Sequence, residues 1–370
     1  MPSKVFFSSA RANMKLSGLK KVERLFRRSG FERLFRDGDR TAVKVHWGEP
    51  GNAAYVPVPY IRTLADLVKK SGARPFVTDT NTLYAGMRHD AVANLRAAAF
   101  NGFTMETVGA PLVVADGLCG TDASPVEVAG TYVKEAKIAG SIRHATSMLV
   151  VSHFKGHMLF SFGGALKNLG MGCATSAGKQ TLHSDVKPKV NRAECRGDAV
   201  CVRHCPEGCI VLDAEHKAVI DPERCVGCGE CIVVCPHRAI PVNWRGSAAR
   251  IQGKTAEYAL AAVSGKEGRV GCVTFLINIT TDCDCCDWSD TRLVQDIGYL
   301  ASHDPVAIDQ AAIDLFNAAP VAADSDLAVH ARAADKLLAL RPEIDYTYIL
   351  SHAEKIGLGT RKYELVKVDI

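Results

Sequence analysis

The sequence lacks the features that mark several large protein classes. None of its 370 residues belongs to an uninterrupted apolar run of about 18 residues, the length that a membrane span needs. The first residues contain no apolar stretch of signal-peptide length, so we expect a protein that is neither membrane-spanning nor exported. Lys and Arg number 45 against 40 Asp and Glu, without a long basic run, and nucleic acid is therefore not an expected partner.

Short nucleotide-binding motifs are also missing. No GxGxxG follows a predicted strand, and neither GxxxxGKS nor GxxxxGKT occurs, which argues against a dinucleotide fingerprint and against a P-loop. Many flavin sites lack a short motif, so flavin stays open. Apolar residues at 47% and charged residues at 23% describe an ordinary globular chain, long enough for two or three domains.

Cysteine, in contrast, is abundant. The chain has 14 Cys, and those between positions 195 and 235 follow the spacing of iron–sulfur ligands. This pattern predicts metal ligation in a reducing cytoplasm rather than a disulfide framework. Because low-potential clusters are often sensitive to oxygen, we expect an anaerobic or microaerobic host.

The most specific motif spans residues 225–236 and reads CVGCGECIVVCP. This is the CxxCxxCxxxCP run of a bacterial-type ferredoxin, in which the fourth thiolate binds the neighbouring cluster. The pattern recurs thirty residues earlier at Cys195, Cys201, Cys205 and Pro206, with Asp198 in the position of Cys228. The duplication predicts a two-cluster ferredoxin fold. Zinc is the alternative for the whole run, but the CP endings and the constant offset disfavour it.

The crossover of the fourth thiolate defines two ligand sets. The first set has four thiolates and is predicted to bind a [4Fe-4S] cluster: Cys205, Cys225, Cys228 and Cys231. The second set has three thiolates and one carboxylate: Cys195, Cys201, Cys235 and Asp198. Because a carboxylate is a weaker ligand for this iron than a thiolate, this cluster is either an Asp-ligated [4Fe-4S] or a [3Fe-4S] cluster. Cys209 is an alternative ligand, although the equivalent Ala239 favours a small buried residue.

The rest of the chain alternates predicted strands and helices, which indicates an α/β scaffold with a parallel or mixed sheet. The predicted strands are residues 4–7, 41–46, 74–79, 111–114, 131–138, 147–152, 269–279 and 364–368. The predicted helices are residues 16–35, 57–71, 88–100, 254–263, 306–317, an Ala-rich stretch to about 340, and 346–355. The pattern resumes after the cysteine-rich segment. We therefore predict a scaffold formed by residues 1–186 and 244–370, with an inserted α+β ferredoxin-like domain at 187–243.

Ligands of such sheets gather at the carboxyl ends of the strands, and several polar residues fall there. Candidates for catalysis are His46, Glu49, His153, His157, Lys167 and Asn168, and Asp79 and Asn81 also follow a strand. Candidates for binding a cofactor or an anion are Lys155, Gly163 and Gly164, because glycine frees backbone N–H groups and lysine supplies charge. The alternative for this Gly-rich segment is a tight connection in which the glycines serve turns and close packing.

Residues 282–287 read DCDCCD. In an extended backbone, Cys283 and Cys285 lie on the same side, within reach of one metal ion, and the flanking Asp282, Asp284 and Asp287 could complete or tune such a site. Cys173 and His183 are further candidate ligands. The alternative is a set of unreactive thiols in a surface loop. Cys119 and Cys272 are predicted to be buried apolar residues.

Several of these motifs together resemble those of one known protein family. They are VKVHWGEPGN at 43–52, GGALKNLGMGCA at 163–174, the GK and His at 178–183, the cysteine-rich insertion, DCDC at 282–285 and DIGYLASHDPVAIDQA at 296–311. The chain resembles, over nearly its whole length, the uncharacterised iron–sulfur centre proteins with domain of unknown function 362, found mainly in anaerobic bacteria and archaea. The resemblance implies no secure reaction. Asp198 departs from the usual ferredoxin pattern.

The favoured hypothesis is an electron-transfer protein or iron–sulfur oxidoreductase that relays electrons through two clusters to a site on the scaffold. Its partner is a redox protein or a small-molecule substrate. The histidines are then candidate proton donors, and Lys167 orients an anionic group. One alternative is a non-catalytic protein that senses or delivers iron–sulfur clusters. In a third hypothesis the clusters act only as staples that stabilise the fold of a small module. This hypothesis ranks last, because a stable scaffold does not need two clusters for that purpose.

Overall fold

The structure is a computed structural model that describes residues 2–83, 86–183, 187–205, 207–225, 230–241 and 248–368. Three predicted features lie outside these residues: the cluster ligand Cys228, Pro206 of the first CP ending, and the boundaries placed at residues 186 and 243–244.

Strands and helices alternate along most of the chain. The strands within the described residues are β1 (Ser3–Ser9), β2 (Arg40–Lys44), β3 (Arg74–Asp79), β4 (Leu112–Val114), β5 (Ala123–Glu127), β6 (Glu135–Ala139), β7 (Ser147–His153), β8 (Lys155–His157), β9 (Ser161–Gly163), β10 (Ile210–Leu212), β11 (Ala218–Ile220), β12 (Val270–Leu276), β13 (Gly298–Ser302) and β14 (Tyr363–Lys367). The helices there are α1 (Gly18–Arg28), α2 (Val58–Lys70), α3 (Ala91–Phe100), α4 (Met105–Val108), α5 (Gly140–His144), α6 (Ala165–Gly170), α7 (Ser176–His183), α8 (Val200–Arg203), α9 (Glu230–Val234), α10 (Ala248–Val263), α11 (Pro305–Ala318), α12 (Lys336–Leu340) and α13 (Thr347–Lys355).

An eight-stranded mixed sheet forms the centre of the molecule, in the order β14-β1-β13-β12-β7-β2-β3-β4. Strand β13 runs antiparallel to both of its neighbours, and the other pairs are parallel. Every residue of the central strand β7 is buried, as expected for a parallel strand covered on both faces. The α/β class with a parallel or mixed sheet is therefore confirmed.

Two apolar cores lie on opposite faces of this sheet. Along β7, Met148 and Val150 pack into one core, and Leu149 and Val151 pack into the other, because successive side chains of a strand point to opposite faces. Helices α6, α10, α11 and α13 cover the first face, and α1 and α2 cover the second. The sheet takes strands from both sides of the cysteine-rich segment.

The cysteine-rich segment has a small core of its own. Its hairpin β10–β11 and helices α8 and α9 surround a cluster of buried cysteine and isoleucine side chains. Helix α9 packs against α7, and the chain re-enters the scaffold through α10, which packs on α6 and α13. The segment is thus flanked in sequence by two scaffold helices.

Local interactions explain where the predicted elements differ from the structure. The helix predicted at 16–35 ends at Arg28, because Gly30 takes a left-handed conformation, with φ of 74°, before a short 3-10 turn. The strand predicted at 131–138 starts only at Glu135, since the N–H groups of residues 131–133 donate to the buried Glu257 carboxylate instead. Residues 319–335 contain no α-helix, in contrast to the predicted Ala-rich helix.

Two further differences concern single residues and one strand. Cys119 was predicted to be buried but is exposed, because it lies in a turn between Gly117 and Gly120, both with positive φ. Cys272 is buried as predicted. Strand β13 was not predicted, since its sequence GYLAS has no alternation. Among the described helices, none combines the length and the apolar character of a membrane span.

Candidate functional site

A cavity of about 350 Å³ opens at the carboxyl ends of β2, β3 and β7. This is the position at which open α/β sheets bind ligands. Its lining includes many basic and sulfur-containing side chains, namely Lys44, His46, Arg88, His153, Lys155, His157, Lys167, Lys179, His183, Cys285 and Cys286, together with Asp79 and Asn168. The structure therefore brings together most of the site residues predicted from strand ends.

A buried ionic network forms one wall of the cavity. Lys44 Nζ, at the end of β2, donates to Asp79 Oδ1 at 2.9 Å and to Asn168 Oδ1 at 2.7 Å. Arg88 Nε donates to Glu49 Oε2 at 2.8 Å, and its Nη1 lies 3.3 Å from Asp79 Oδ2. Both carboxylates are thus neutralised internally. The sequence predictions missed Lys44 and Arg88, although a lysine inside the apolar run TAVKV was a visible anomaly.

A second buried group joins β7 to the loop after β12. His153 Nδ1 lies 2.8 Å from Asp284 Oδ1, and His153 Nε2 lies 2.8 Å from the carbonyl oxygen of Ile277. Both ring nitrogens face acceptors, so the arrangement is satisfied when both carry hydrogen. Lys155 Nζ lies 3.0 Å from Asp284 Oδ2. Burial alone would raise the pKa of Asp284, but His153 and Lys155 hold it well below its usual value.

The loop at 280–286 carries the CxC pair and is fixed on several sides. Gly156 N–H donates to Thr280 O at 2.8 Å, Glu49 N–H donates to Asp284 O at 2.9 Å, and Asp282 pairs with Arg341 at 3.2 Å. Cys283 is buried. These contacts describe an ordered loop rather than a set of exposed thiols.

The CxC pair meets His157 from strand β8. One ligand atom from each of His157, Cys283 and Cys285 lies within 4.8 Å of the other two. Burial lowers the pKa of His157 to about 4, and the nearby Lys167 acts in the same direction. The hydrogen bond with Cys285, together with burial, raises the pKa of Cys283 to about 11. Among the described residues, the predicted ligands Cys173 and His183 do not belong to this group.

Three other predicted site residues lie apart from this group: His46 and His183 line the cavity, whereas Cys173 is buried next to Asn168 and is not one of the described lining residues. Burial raises the pKa of Cys173 to about 11, and its Sγ lies 3.7 Å from Asn168 O. Burial, together with Lys167, lowers the pKa of His183 to about 3. Removal from solvent, together with Arg88, holds the pKa of His46 well below its usual value. His46 Nδ1 accepts the Gly48 N–H at 3.1 Å, so the neutral ring carries its hydrogen on Nε2.

The Gly163–Gly164 segment leads into α6, whose first N–H groups were candidates for holding an anion. In the structure these groups hold a carboxylate of the protein itself. Ala165 and Leu166 N–H donate to the two oxygens of Asp309 at 2.7 and 2.9 Å. A Cβ on Gly164 would lie 2.4 Å from Asp309 Oδ1, so this glycine permits the close approach. Lys155 and Lys167 remain as the charged groups for an external anion.

The predicted cluster ligands also come together. Burial raises the pKa of Cys201, and Cys235, Asp198 and Cys195 lie near enough for their charges to act in the same direction. Asp198 Oδ2 lies 3.3 Å from His237 Nε2.

In the first ligand set, Cys205 Sγ lies 3.4 Å from Cys209 Sγ, and Cys209 also interacts with Cys225. Cys209 is buried beside the first ligand set rather than the second. Three or four clustered thiolates are the donor set that an iron–sulfur cluster needs.

Comparison with known proteins gives matches over short stretches of the chain. The chain is 38% identical over 83 residues to pyruvate synthase subunit PorD of Methanothermobacter marburgensis, covering 22% of this chain and 94% of that protein. It is 43% identical over 54 residues to a 7Fe ferredoxin of Hydrogenibacillus schlegelii, covering 13% of this chain and 68% of the ferredoxin. One component of an ion-translocating oxidoreductase complex from Methanosarcina acetivorans is 43% identical over 59 residues, which span 16% of this chain and only 22% of that component.

Among solved structures, the lactate racemase apoprotein of Thermoanaerobacterium thermosaccharolyticum aligns with 74% of this chain and 51% of its own, at a TM-score of 0.38 and 12% identity. The model of a family described as a domain of unknown function matches residues 41–314, which include the strand-end residues, the cysteine-rich segment and the CxC loop. The chain therefore belongs to the DUF362 family.

Proposed function

We propose that this chain is an iron–sulfur redox protein that exchanges electrons with a small organic anion bound in the cavity. In this proposal, residues 187–243 form a ferredoxin-like domain inserted in a scaffold of residues 1–186 and 244–370. Two clusters, one [4Fe-4S] on Cys205, Cys225, Cys228 and Cys231 and one [4Fe-4S] or [3Fe-4S] on Cys195, Cys201 and Cys235 with Asp198, would supply one-electron transfer.

The main support for this proposal is the contact between the cysteine-rich segment and the wall of the cavity. Helix α7, which brings Lys179 and His183 to the cavity wall, packs directly against α9, which contains the cluster ligand Cys231. Leu83 lines the cavity and also packs against the cysteine-containing core. If the clusters only stabilised the module, a side chain that lines the ligand cavity would not need to pack against the module's core.

The charges of the cavity support an anionic ligand. Lys44 and Arg88 are paired with Asp79 and Glu49, as described above. Lys167 adds a positive charge whose nearest polar contact among the described residues is a sulfur atom, Cys283 Sγ at 3.8 Å. Burial alone would lower the pKa of Lys155, but Asp284 raises it above its usual value, so this lysine also stays charged.

Substrate orientation falls to the cavity wall in this proposal. An organic substrate that gains two electrons also takes up protons, which water supplies, and an external ferredoxin-type protein would deliver the electrons one at a time. His46 is neutral, carries its hydrogen on Nε2 and lines the cavity, so it can donate a hydrogen bond to an oxygen of the bound anion. His153 is held between two acceptors and instead positions Asp284.

The experiment starts with anaerobic protein in which iron, sulfide and low-temperature EPR spectra are measured before and after reduction. Reduced protein is then mixed with a panel of small carboxylates, 2-oxoacids and phosphate esters, and cluster reoxidation is followed by absorbance. We expect reoxidation by at least one anion, slowed at least about 10-fold in Lys167→Met, since that lysine binds the anion. Lys134→Met, an exposed lysine away from the cavity, is the matched control.

Two results would overturn the proposal. One is wild-type protein without iron and sulfide after anaerobic purification or reconstitution. The other is transfer of intact clusters to an apo-ferredoxin on simple mixing, with no anion able to reoxidise the reduced protein. That second result would favour cluster delivery, for which the three-thiolate site with Asp198 would be the labile donor.

A further inference from the structure

We propose that His157, Cys283 and Cys285 bind a divalent metal ion of the zinc type, with one coordination position open to the cavity. The site is separate from the iron–sulfur ligands. The inference rests on the proposed function in one respect, because it assigns the proposed anionic substrate to the open coordination position.

The geometry of the three donors supports a single ion. Their ligand atoms lie within 4.8 Å of one another. Metal bonds of about 2.0–2.3 Å to sulfur and nitrogen bring such atoms somewhat closer together, so binding needs only a small contraction. Residues 283–286 form a turn, in which the Cys286 N–H donates to Cys283 O at 2.9 Å, rather than the extended backbone expected from the sequence. Within this turn the Cys285 N–H donates to Cys283 Sγ at 3.4 Å, which holds the two cysteines close together.

The surroundings hold the donors in place. Asp284, between the two cysteines, is completely buried and points to His153 and Lys155, so it supports the loop instead of binding the ion. Gly156, next to His157, approaches the loop so closely that a Cβ there would lie 2.0 Å from Thr281 O. The strand that carries the histidine and the loop that carries the thiols are therefore packed backbone to backbone.

The donor types select the metal class and leave a position for substrate. Two thiolates and one imidazole suit a borderline-soft ion such as zinc, and three protein ligands are typical of catalytic rather than structural zinc sites. The two thiolates neutralise the charge of the ion. Lys155 and Lys167 then keep their positive charges beside it, and a small organic anion can place one oxygen on the ion while the lysines hold its carboxylate or phosphate group.

His157 must rearrange slightly to serve as a ligand. Its Nδ1 now accepts the N–H of Leu159 at 3.0 Å. Binding through Nε2 moves the ring hydrogen to Nδ1 and gives up that contact, whereas binding through Nδ1 replaces it. Either way one local hydrogen bond is exchanged for a metal bond, so the two cysteines contribute most of the affinity.

The test uses full-length protein with its clusters loaded, treated with a mild chelator that removes only loosely held metal. Zn²⁺ is titrated against a chromophoric competitor, and Co²⁺ is added separately to record thiolate-to-cobalt charge-transfer absorption. We expect one tight Zn²⁺ per chain, and a loss of affinity of at least about 100-fold in Cys283→Ser and Cys285→Ser, more than removing an outer-shell partner costs. His157→Ala should lose less.

Cys286→Ser is the matched control, because this neighbouring thiol lies outside the group of three. Iron, sulfide and EPR are recorded for every variant, so a failed cluster proposal and a failed zinc proposal give different results. The inference is overturned if wild-type protein takes up no Zn²⁺ while its iron content is constant. It is equally overturned if Cys286→Ser weakens Zn²⁺ binding as much as Cys283→Ser does.

Discussion

Lys44 is a buried charged side chain at the end of strand β2, and its three acceptors explain how it is kept there. Its Nζ donates to Asp79, Asn168 and the carbonyl oxygen of Val45. Removing one partner of a buried pair leaves the other charge without compensation. We expect Lys44→Met to lower the free energy of unfolding by about 3–5 kcal/mol, measured by anaerobic denaturant titration.

An exposed ion pair provides the control. Arg27 lies 2.9 Å from Glu23 one helical turn away, with both side chains more than a third exposed. Arg27→Met should change stability by less than about 1 kcal/mol, because water and salt screen such pairs. If Lys44→Met does not fold, adding Asp79→Asn should restore folding by removing one of the two carboxylates that would otherwise share Arg88. Equal effects of Lys44→Met and Arg27→Met would contradict the assignment of a structural role to the buried network.

Asp309 makes stability depend on pH in the opposite direction to an ordinary ion-paired carboxylate. Burial raises its pKa to about 7, despite the two backbone N–H groups that it accepts. The folded protein then binds a proton that the unfolded chain releases near pH 4, so the stabilisation is complete below about pH 4 and is lost as the pH rises through about 7. Anaerobic thermal unfolding between pH 5 and 8 should show wild type losing Tm relative to Asp309→Asn.

Asp309→Asn lowers stability by a constant amount at every pH, because its amide group accepts hydrogen bonds through one oxygen, whereas both oxygens of Asp309 accept. The informative quantity is therefore the change of the Tm difference with pH. A difference that stays constant from pH 5 to 8 would show that Asp309 does not titrate in this window.

At the scale of single elements, the short strand β8 and the CxC loop illustrate what periodicity cannot predict. The strands β2, β3 and β7 were predicted within two residues of their ends, since each is a clear apolar run between turns. The three-residue strands β8 and β9 are too short for any period. Their position depends on Gly156, whose missing side chain lets the loop backbone approach.

This close approach leads to a prediction for Gly156→Ala. The new Cβ would meet the backbone of Thr281, which cannot move independently of the CxC loop. We expect the loop to shift away from His157 and Zn²⁺ affinity to fall by about 10-fold or more, as when other supporting groups of a metal site are removed. The competition titration described above measures it.

Gly163→Ala on the paired strand β9 is the matched control. Its Cβ would come 3.1 Å from the flexible side chain of Lys155, which can move aside. Zn²⁺ affinity should stay near the wild-type value. Unchanged affinity in Gly156→Ala would indicate that the loop reaches His157 without this backbone contact.

At the scale of the whole molecule, the sequence predicted the parts that depend on local pattern and missed those that depend on distant pairing. The ferredoxin spacing and the α/β alternation are local, and both were recognised. The contact of His153 with Asp284 joins residues 131 positions apart, and that of Lys44 with Asn168 joins residues 124 apart. Neither pair leaves a mark in a single sequence. The antiparallel strand β13 was missed because its sequence has no alternation, and its place in the sheet depends on pairing with β1 and β12.

The separate cores of the molecule predict how it responds to loss of its clusters. Four of the ten buried residues in the described cysteine-rich core are predicted cluster ligands, whereas the two scaffold cores together contain two cysteines among their described buried residues. Metal binding supplies much of the folding energy of such small modules. When a strong chelator and an oxidant remove the clusters, we expect residues 187–205 and 207–225 to lose protection in hydrogen-exchange mass spectrometry, while β7 and β12 keep theirs.

Hydrogen exchange in helix α7 shows whether the cysteine-rich segment and the scaffold respond to cluster loss independently or together. The helix packs against α9 on one side and lines the cavity on the other, so its last turn, with His183, should exchange faster after cluster loss. The Cys283 loop, anchored to the scaffold alone among its described contacts, should be unaffected and should still bind Zn²⁺. Loss of protection across the whole sheet would instead mean that the scaffold depends on the clusters, and the stapling hypothesis would then explain the inserted segment better than electron transfer does.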